Sequence, residues 1–174
     1  GYYSLATNTT GGHNVALGHS ALDANTTASN NTGIGYNALG ENTTGSANVA
    51  VGSISLDANT TGQFNVALGY ESLSANTTAD QNTALGSFTL RYNTTGTTNT
   101  AAGYKALEAN TTASNNTAFG FEALNDNTTG TQNVAVGGYA LDANTTASYN
   151  TAIGHNSLTS NSTGANNTAV GRES

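Results

Sequence analysis

The sequence predicts an all-β chain: a β-roll or β-solenoid of ten 17-residue coils. Three observations carry that expectation. Asn-Thr-Thr begins at Asn8, Asn25, Asn42, Asn59, Asn76, Asn93, Asn110, Asn127 and Asn144, and Asn161 opens Asn-Ser-Thr, every start 17 residues after the last. A unit this short cannot hold a helical pair, which needs about 33 residues, and it lacks a 3.6-residue stripe long enough for one stable helix. Stretches such as Asn14-Val15-Ala16-Leu17-Gly18 and Asn48-Val49-Ala50-Val51-Gly52 alternate small or polar with branched apolar residues, which is the period of a strand.

Numbered from that first Asn, the unit reads N-T-T-[GA]-x-x-N-[TV]-A-Φ-G-x-x-[AST]-L-x-x, with Φ apolar. Positions 1–4 and the Gly at position 11 supply turns, since Asn and Gly tolerate positive φ. Positions 7–11 form a strand, with Val or Thr and Φ on one face and Asn, Ala and Gly on the other. A second short extended piece is expected over positions 13–16. The expected core is the Leu at position 15 with Φ and the Val or Thr. That assignment leaves the Ala/Gly face as the surface where backbones approach, and so as a hint of an obligate oligomer. Coils stack about 4.8 Å apart, so ten give a rod of roughly 48 Å.

Stacking places identical residues above one another and explains the strict columns. Asn14, Asn31, Asn48, Asn65, Asn82, Asn99, Asn116, Asn133, Asn150 and Asn167 hold position 7, and Gly18, Gly35, Gly52 and Gly69 begin the unbroken Gly column at position 11. These are expected to form a structural ladder, with the Asn side chains hydrogen-bonded along the axis. Residues 1–174 read as one array without a linker. Both ends fall inside a unit and neither shows a polar capping coil, so the expectation is a segment of a longer fibre. Units with Ala at position 4 always carry Thr at position 8, whereas four of the six with Gly carry Val, the mark of a duplicated 34-residue pair.

Composition narrows the functions. Charged residues make up 7% of the chain, against roughly 25% in an average domain. The net charge is −7 and the cations are only Arg91, Lys105 and Arg172, which argues against nucleic-acid binding. Without Cys there is no disulfide scaffold, cysteine-based zinc site or thiol nucleophile. No apolar run reaches the roughly 18 residues of a membrane span.

His13, His19 and His155 have no acid at a fixed offset, so no catalytic, metal or cofactor site is expected. Acids such as Asp23, Asp57 and Asp142 occupy variable positions and do not form the calcium-binding G-G-x-G-x-D motif. Asn8, Asn25, Asn42, Asn59, Asn76, Asn93, Asn110, Asn127, Asn144 and Asn161 all match the N-glycosylation sequon, making them the candidate acceptors. A turn that wants Asn before Thr generates the same pattern, so the structural reading of this column competes with modification. Tyr36, Tyr70 and Tyr104 half-fill position 12, an incomplete aromatic column.

The block N-[TV]-A-Φ-G-x-x-[AS]-L, seen in Asn65-Val66-Ala67-Leu68-Gly69 and Asn133-Val134-Ala135-Val136-Gly137, resembles the YadA-like head repeats of trimeric autotransporter adhesins, with their S/N-V-A-I-G-x-x-A consensus. The resemblance covers all ten units, and similar arrays occur in phage tail fibres. It implies a left-handed β-roll wound as a homotrimer, outside the cell or on its surface, with a host, matrix or cell-surface ligand. It carries over no functional residue. The expected function is therefore a structural or adhesive, non-catalytic segment of an extracellular fibre. Two alternatives stand beside it: a passive shaft of a phage tail fibre, and an ice-binding β-solenoid. The ice reading would use the rank Thr10, Thr27, Thr44, Thr61 and Thr78, although neighbouring Thr residues point to opposite faces and give one outward column rather than two.

Overall fold

The structure, a computed structural model, describes residues 1–174. It contains ten three-residue strands: β1 (Val15–Leu17), β2 (Thr32–Ile34), β3 (Val49–Val51), β4 (Val66–Leu68), β5 (Thr83–Leu85), β6 (Thr100–Ala102), β7 (Thr117–Phe119), β8 (Val134–Val136), β9 (Thr151–Ile153) and β10 (Thr168–Val170). They form one parallel sheet in chain order. Each strand pairs with the strand 17 residues on, as in Val49↔Val66 and Ala50↔Ala67, so position 8 lies on position 8 throughout. A parallel sheet in chain order with a fixed offset is a β-solenoid.

The strand faces are reversed relative to the expected core. Position 9 points inward and is fully buried in every inner coil (Ala50, Ala67, Ala84, Ala101, Ala118, Ala135, Ala152), whereas positions 8 and 10 are half-buried or exposed. The reason is space. Gly33 stands at position 9 in its coil, and a Cβ there would lie 3.0 Å from the Ala38 carbonyl oxygen and 3.2 Å from Leu22 Cγ. The interior opposite Leu is one methyl wide. Only Ala or Gly fits, and the branched residues go out. The Ala/Gly face is consequently the inner wall of the coil and not a surface for association.

The interior is made of the position-9 Ala, the position-15 Leu and the small residue at position 14, together with both Asn columns and the Gly or Ala at position 4. Where position 14 is Ser its hydroxyl donates to the next coil's position-9 carbonyl, as Ser55 does to Ala67 (3.0 Å) and Ser72 to Ala84 (3.1 Å). Leu is the one large apolar side chain each coil buries.

No second strand forms over positions 13–16. Residues at positions 13 and 15 instead adopt the left-handed conformation in coil after coil, for example Ser20 (φ 54°) and Leu22 (φ 53°), as do residues at position 6 such as Asn30 (φ 62°). A left-handed Leu costs on the order of 1–2 kcal/mol. Burying its side chain contributes about 1.5–3 kcal/mol, so the turn keeps Leu rather than Gly. Pairing between coils continues through these turns. Of 107 backbone hydrogen bonds only 18 lie within the strands, and most of the rest join adjacent coils, among them Ser20 N–H to Tyr2 O (2.9 Å) and Leu22 N–H to Ala38 O (3.0 Å). The Gly column at position 11 is required twice over. Gly52 has φ 140°, and a Cβ on it would meet the carbonyl oxygen of Gly69 at 2.3 Å.

Candidate functional site

The two Asn columns face inward and are built into the coil wall. At position 1, Asn42 donates from Nδ2 to Asn25 Oδ1 (3.1 Å) and to Gly45 O (2.9 Å), and Asn59 repeats both contacts to Asn42 (2.8 Å) and Gly62 (3.0 Å). At position 7 the ladder runs mainly through the backbone. Asn48 Nδ2 donates to Gly62 O in the next coil (2.8 Å), and Asn48 Oδ1 accepts from the Asn65 amide (2.9 Å). Direct side-chain pairs add to it at Asn65–Asn48 (3.2 Å) and Asn99–Asn82 (3.1 Å).

This placement bears on the sequons. The side chains of Asn25, Asn42, Asn59, Asn76, Asn93, Asn110, Asn127 and Asn144 are completely buried. A glycan on any of these nitrogens would have to replace the ladder bond and occupy the interior. The folded coil therefore does not present these eight as acceptors. Asn8 and Asn161, in the first and last coils, are partly exposed.

Three surfaces face solvent. The first is the outer face of the sheet, where positions 8 and 10 of all ten strands carry only Val, Thr, Leu, Ile, Ala or Phe. Phe119 is 42% exposed and Ile153 41% exposed, and Leu68, Leu85 and Val136 are similar. No charged side chain interrupts the strip. Position 10 is apolar in every coil while position 8 is Thr in six of ten, and an uncharged, largely apolar surface that continues past a few hundred Å² marks an interaction site.

The second is an aromatic ladder along one flank of that strip. Where position 12 lacks a ring, at Ser87 and Gly138, position 13 supplies one from Phe88 and Tyr139. Six rings then run unbroken over six coils, with centroid separations of 5.4 Å (Tyr70–Phe88), 5.8 Å (Phe88–Tyr104), 5.5 Å (Tyr104–Phe121), 5.2 Å (Phe121–Tyr139) and 6.0 Å (Tyr139–His155). His19 stacks on Tyr36 at 5.6 Å in a shorter run. Reading position 12 alone made this column look half-filled. Reading positions 12 and 13 together exposes the continuity. Beside the ladder Arg91 pairs with Glu71 and lies over the Phe88 ring at 5.0 Å, and Lys105 pairs with Glu108 at 3.2 Å. The hydrogen bond and charge of Glu108 push the Lys105 amine above its ordinary pKa.

The third surface is the Thr column at position 3. Thr27, Thr44, Thr61 and Thr78 are exposed, whereas the position-2 Thr is half-buried and bonds along the wall, as Thr43 Oγ1 does to Thr60 O (3.0 Å). One Thr column faces water.

Asp57, at position 16, stands apart from these surfaces. Its Oδ1 is buried without a hydrogen-bond partner. Burial, with a smaller contribution from the Glu71 charge, raises its pKa to about 6, against the opposing effect of the neighbouring Asp57 and Ala58 amides and the Asn37 side chain. No group of three or more His, Cys, Asp or Glu residues is placed to hold a metal ion. The one depression in the surface is the top of the last coil, at Leu158, Thr159 and Asn161, rather than a cleft in the wall. No helix is long and apolar enough to cross a membrane. Comparison with family models, with curated proteins and with solved structures finds no match to this chain.

Proposed function

We propose that this chain is a structural and adhesive stretch of an extracellular fibre. In this reading it is non-catalytic, coiled left-handed, and assembled as a homotrimer with the outer sheet faces turned to a common axis. The observation that carries the proposal is the uncharged strip at positions 8 and 10, continuous over ten coils. Left in water it is a liability; turned against identical strips it becomes the large-residue core that the coil interior is too narrow to hold. The partner's strip must match its spacing coil for coil, and a second copy of the chain does. The exposed aromatic flank and the Thr column remain outside such an assembly and offer surface for a host, matrix or cell-surface ligand.

Light scattering on the purified segment tests the reading. A mass of three chains is expected, falling to one chain on replacing Leu68, Leu85 and Ile153 with Asp while circular dichroism stays strand-rich. A folded monomer at every concentration overturns it. The ice-binding alternative has weaker support, since only one of the two Thr columns faces water, and a thermal-hysteresis measurement on the same sample separates it.

A further inference from the structure

An array of near-identical coils faces a problem of register. Sliding one copy along another by one coil, about 4.8 Å, brings nearly every contact back to an equivalent one. Strands lacking a distinctive pattern are prone to such slippage. The outer face varies gently along its length, Val with Thr at position 8 and Leu, Ile and Val at position 10, and changes size sharply at one place. Position 10 is Leu, Ile or Val in eight strands, but Ala102 in β6 and Phe119 in β7 are its smallest and largest residues, and they are adjacent partners in the sheet.

We propose that Ala102 and Phe119 set the register in which copies of this chain associate. The proposal rests on self-association through the outer sheet face. The strip is about 43 Å long and about 10 Å wide, so each copy offers on the order of 400 Å² in plan. Three such strips meeting at a common axis cover on the order of 1,200 Å² together, the lower end of the range for specific interfaces. Closed cyclic symmetry places like coils at one level, because any shift along the axis generates an open filament. At that level the Phe119 rings of all copies share one layer, and the space they need is the one left in the adjacent layer by the Ala102 side chains. A slip of one coil sets Ala102 of one copy against Leu85 or Phe119 of another and forces the rings to repack. Close-packed interiors respond to single methylenes, so this step separates registers more sharply than the Val/Thr and Leu/Ile/Val changes in the other coils.

The chain has no Cys, which makes introduced thiols unambiguous reporters. Thr83→Cys and Thr100→Cys sit at position 8 of adjacent strands. Disulfides need Cα atoms within about 7 Å, which a one-coil offset largely excludes. The two single-Cys proteins, mixed, unfolded, refolded together and oxidised, are expected to give same-site links over cross-site links by at least about tenfold. On a levelled background, Ala102→Leu with Phe119→Leu, the two kinds of link are expected in comparable yield; Phe119→Leu alone is the second variant should the double one not assemble. Mixed links on the native background overturn the proposal, as does unchanged selectivity on the levelled one. Oligomers without same-site links, or links preferentially between Thr83→Cys and Thr100→Cys, which an antiparallel pairing of the ten strands would bring together, overturn the level arrangement. Monomers by light scattering instead overturn the self-association on which the proposal rests.

Discussion

The inside and the outer sheet face of this rod are filled by opposite rules. Inside, each column is nearly invariant, and two of the columns are Asn held by amide-to-amide and amide-to-carbonyl bonds. Outside, the face is uncharged, with Val or Thr beside an apolar Φ column that varies from Ala102 to Phe119. An ordinary domain puts the variable polar residues outside and the large apolar ones within. The difference follows from size. A 17-residue coil encloses room for Leu, one methyl and a few small groups, so polar side chains that satisfy one another fill the rest. Large apolar residues are expelled to a face that another copy can cover.

The largest expected effect comes from breaking the inner rule. Asn99 donates to Ala113 O (2.9 Å) and accepts from the Asn116 amide (3.0 Å), both in the buried wall. Asn99→Ala is expected to cost on the order of 3 kcal/mol, from an orphaned amide plus a cavity, measured by chemical unfolding. Second comes Ala101→Val. Strand propensity alone favours Val, but the one-methyl gap at position 9 opposes it, and a loss of about 1–3 kcal/mol is expected. A gain in stability on this substitution would show that the interior is wider than the Gly33 geometry implies.

A smaller effect concerns Asp57. Its folded pKa of about 6 lies above the ordinary 3.8, so folding binds its proton more tightly than the unfolded chain does. Its contribution to stability is present below about pH 4 and is lost as pH rises through about 6. Asp57→Asn, matching Asn125 at the equivalent position, is expected to raise the thermal midpoint at neutral pH and flatten the profile between pH 4 and 6. An unchanged profile would place the titration elsewhere. The smallest effect is on the outside. Phe64 is 59% exposed with φ 59°, at a position where Asn30, Asn115 and Asn166 adopt the same conformation. Phe64→Asn is expected to stabilise by on the order of 0.5 kcal/mol, because Asn tolerates left-handed backbone better, as calorimetry can measure.

Much of the candidate surface was hidden from residue-by-residue reading. The direction of the strand could have been inferred from the columns themselves: position 9 is Ala in nine coils and Gly33 in one, while position 10 takes five residue types. A tight interior enforces uniformity and a face awaiting a partner tolerates variety. The left-handed Leu at position 15 left no such trace, since Leu is a poor residue for that backbone. A short apolar stretch there reads as a strand.

By itself the sequence determined the repeat, its parallel in-register stacking and the need for Gly at position 11, because a constant 17-residue period without insertion admits few other closures. Tertiary structure alone decided which face of the strand points inward, that eight of the ten sequon Asn residues are buried, and that rings from positions 12 and 13 merge into one ladder. Each of these depends on how much volume the closed coil encloses and on where its turns aim their side chains. Alternation along a strand separates two faces but does not say which is the inside.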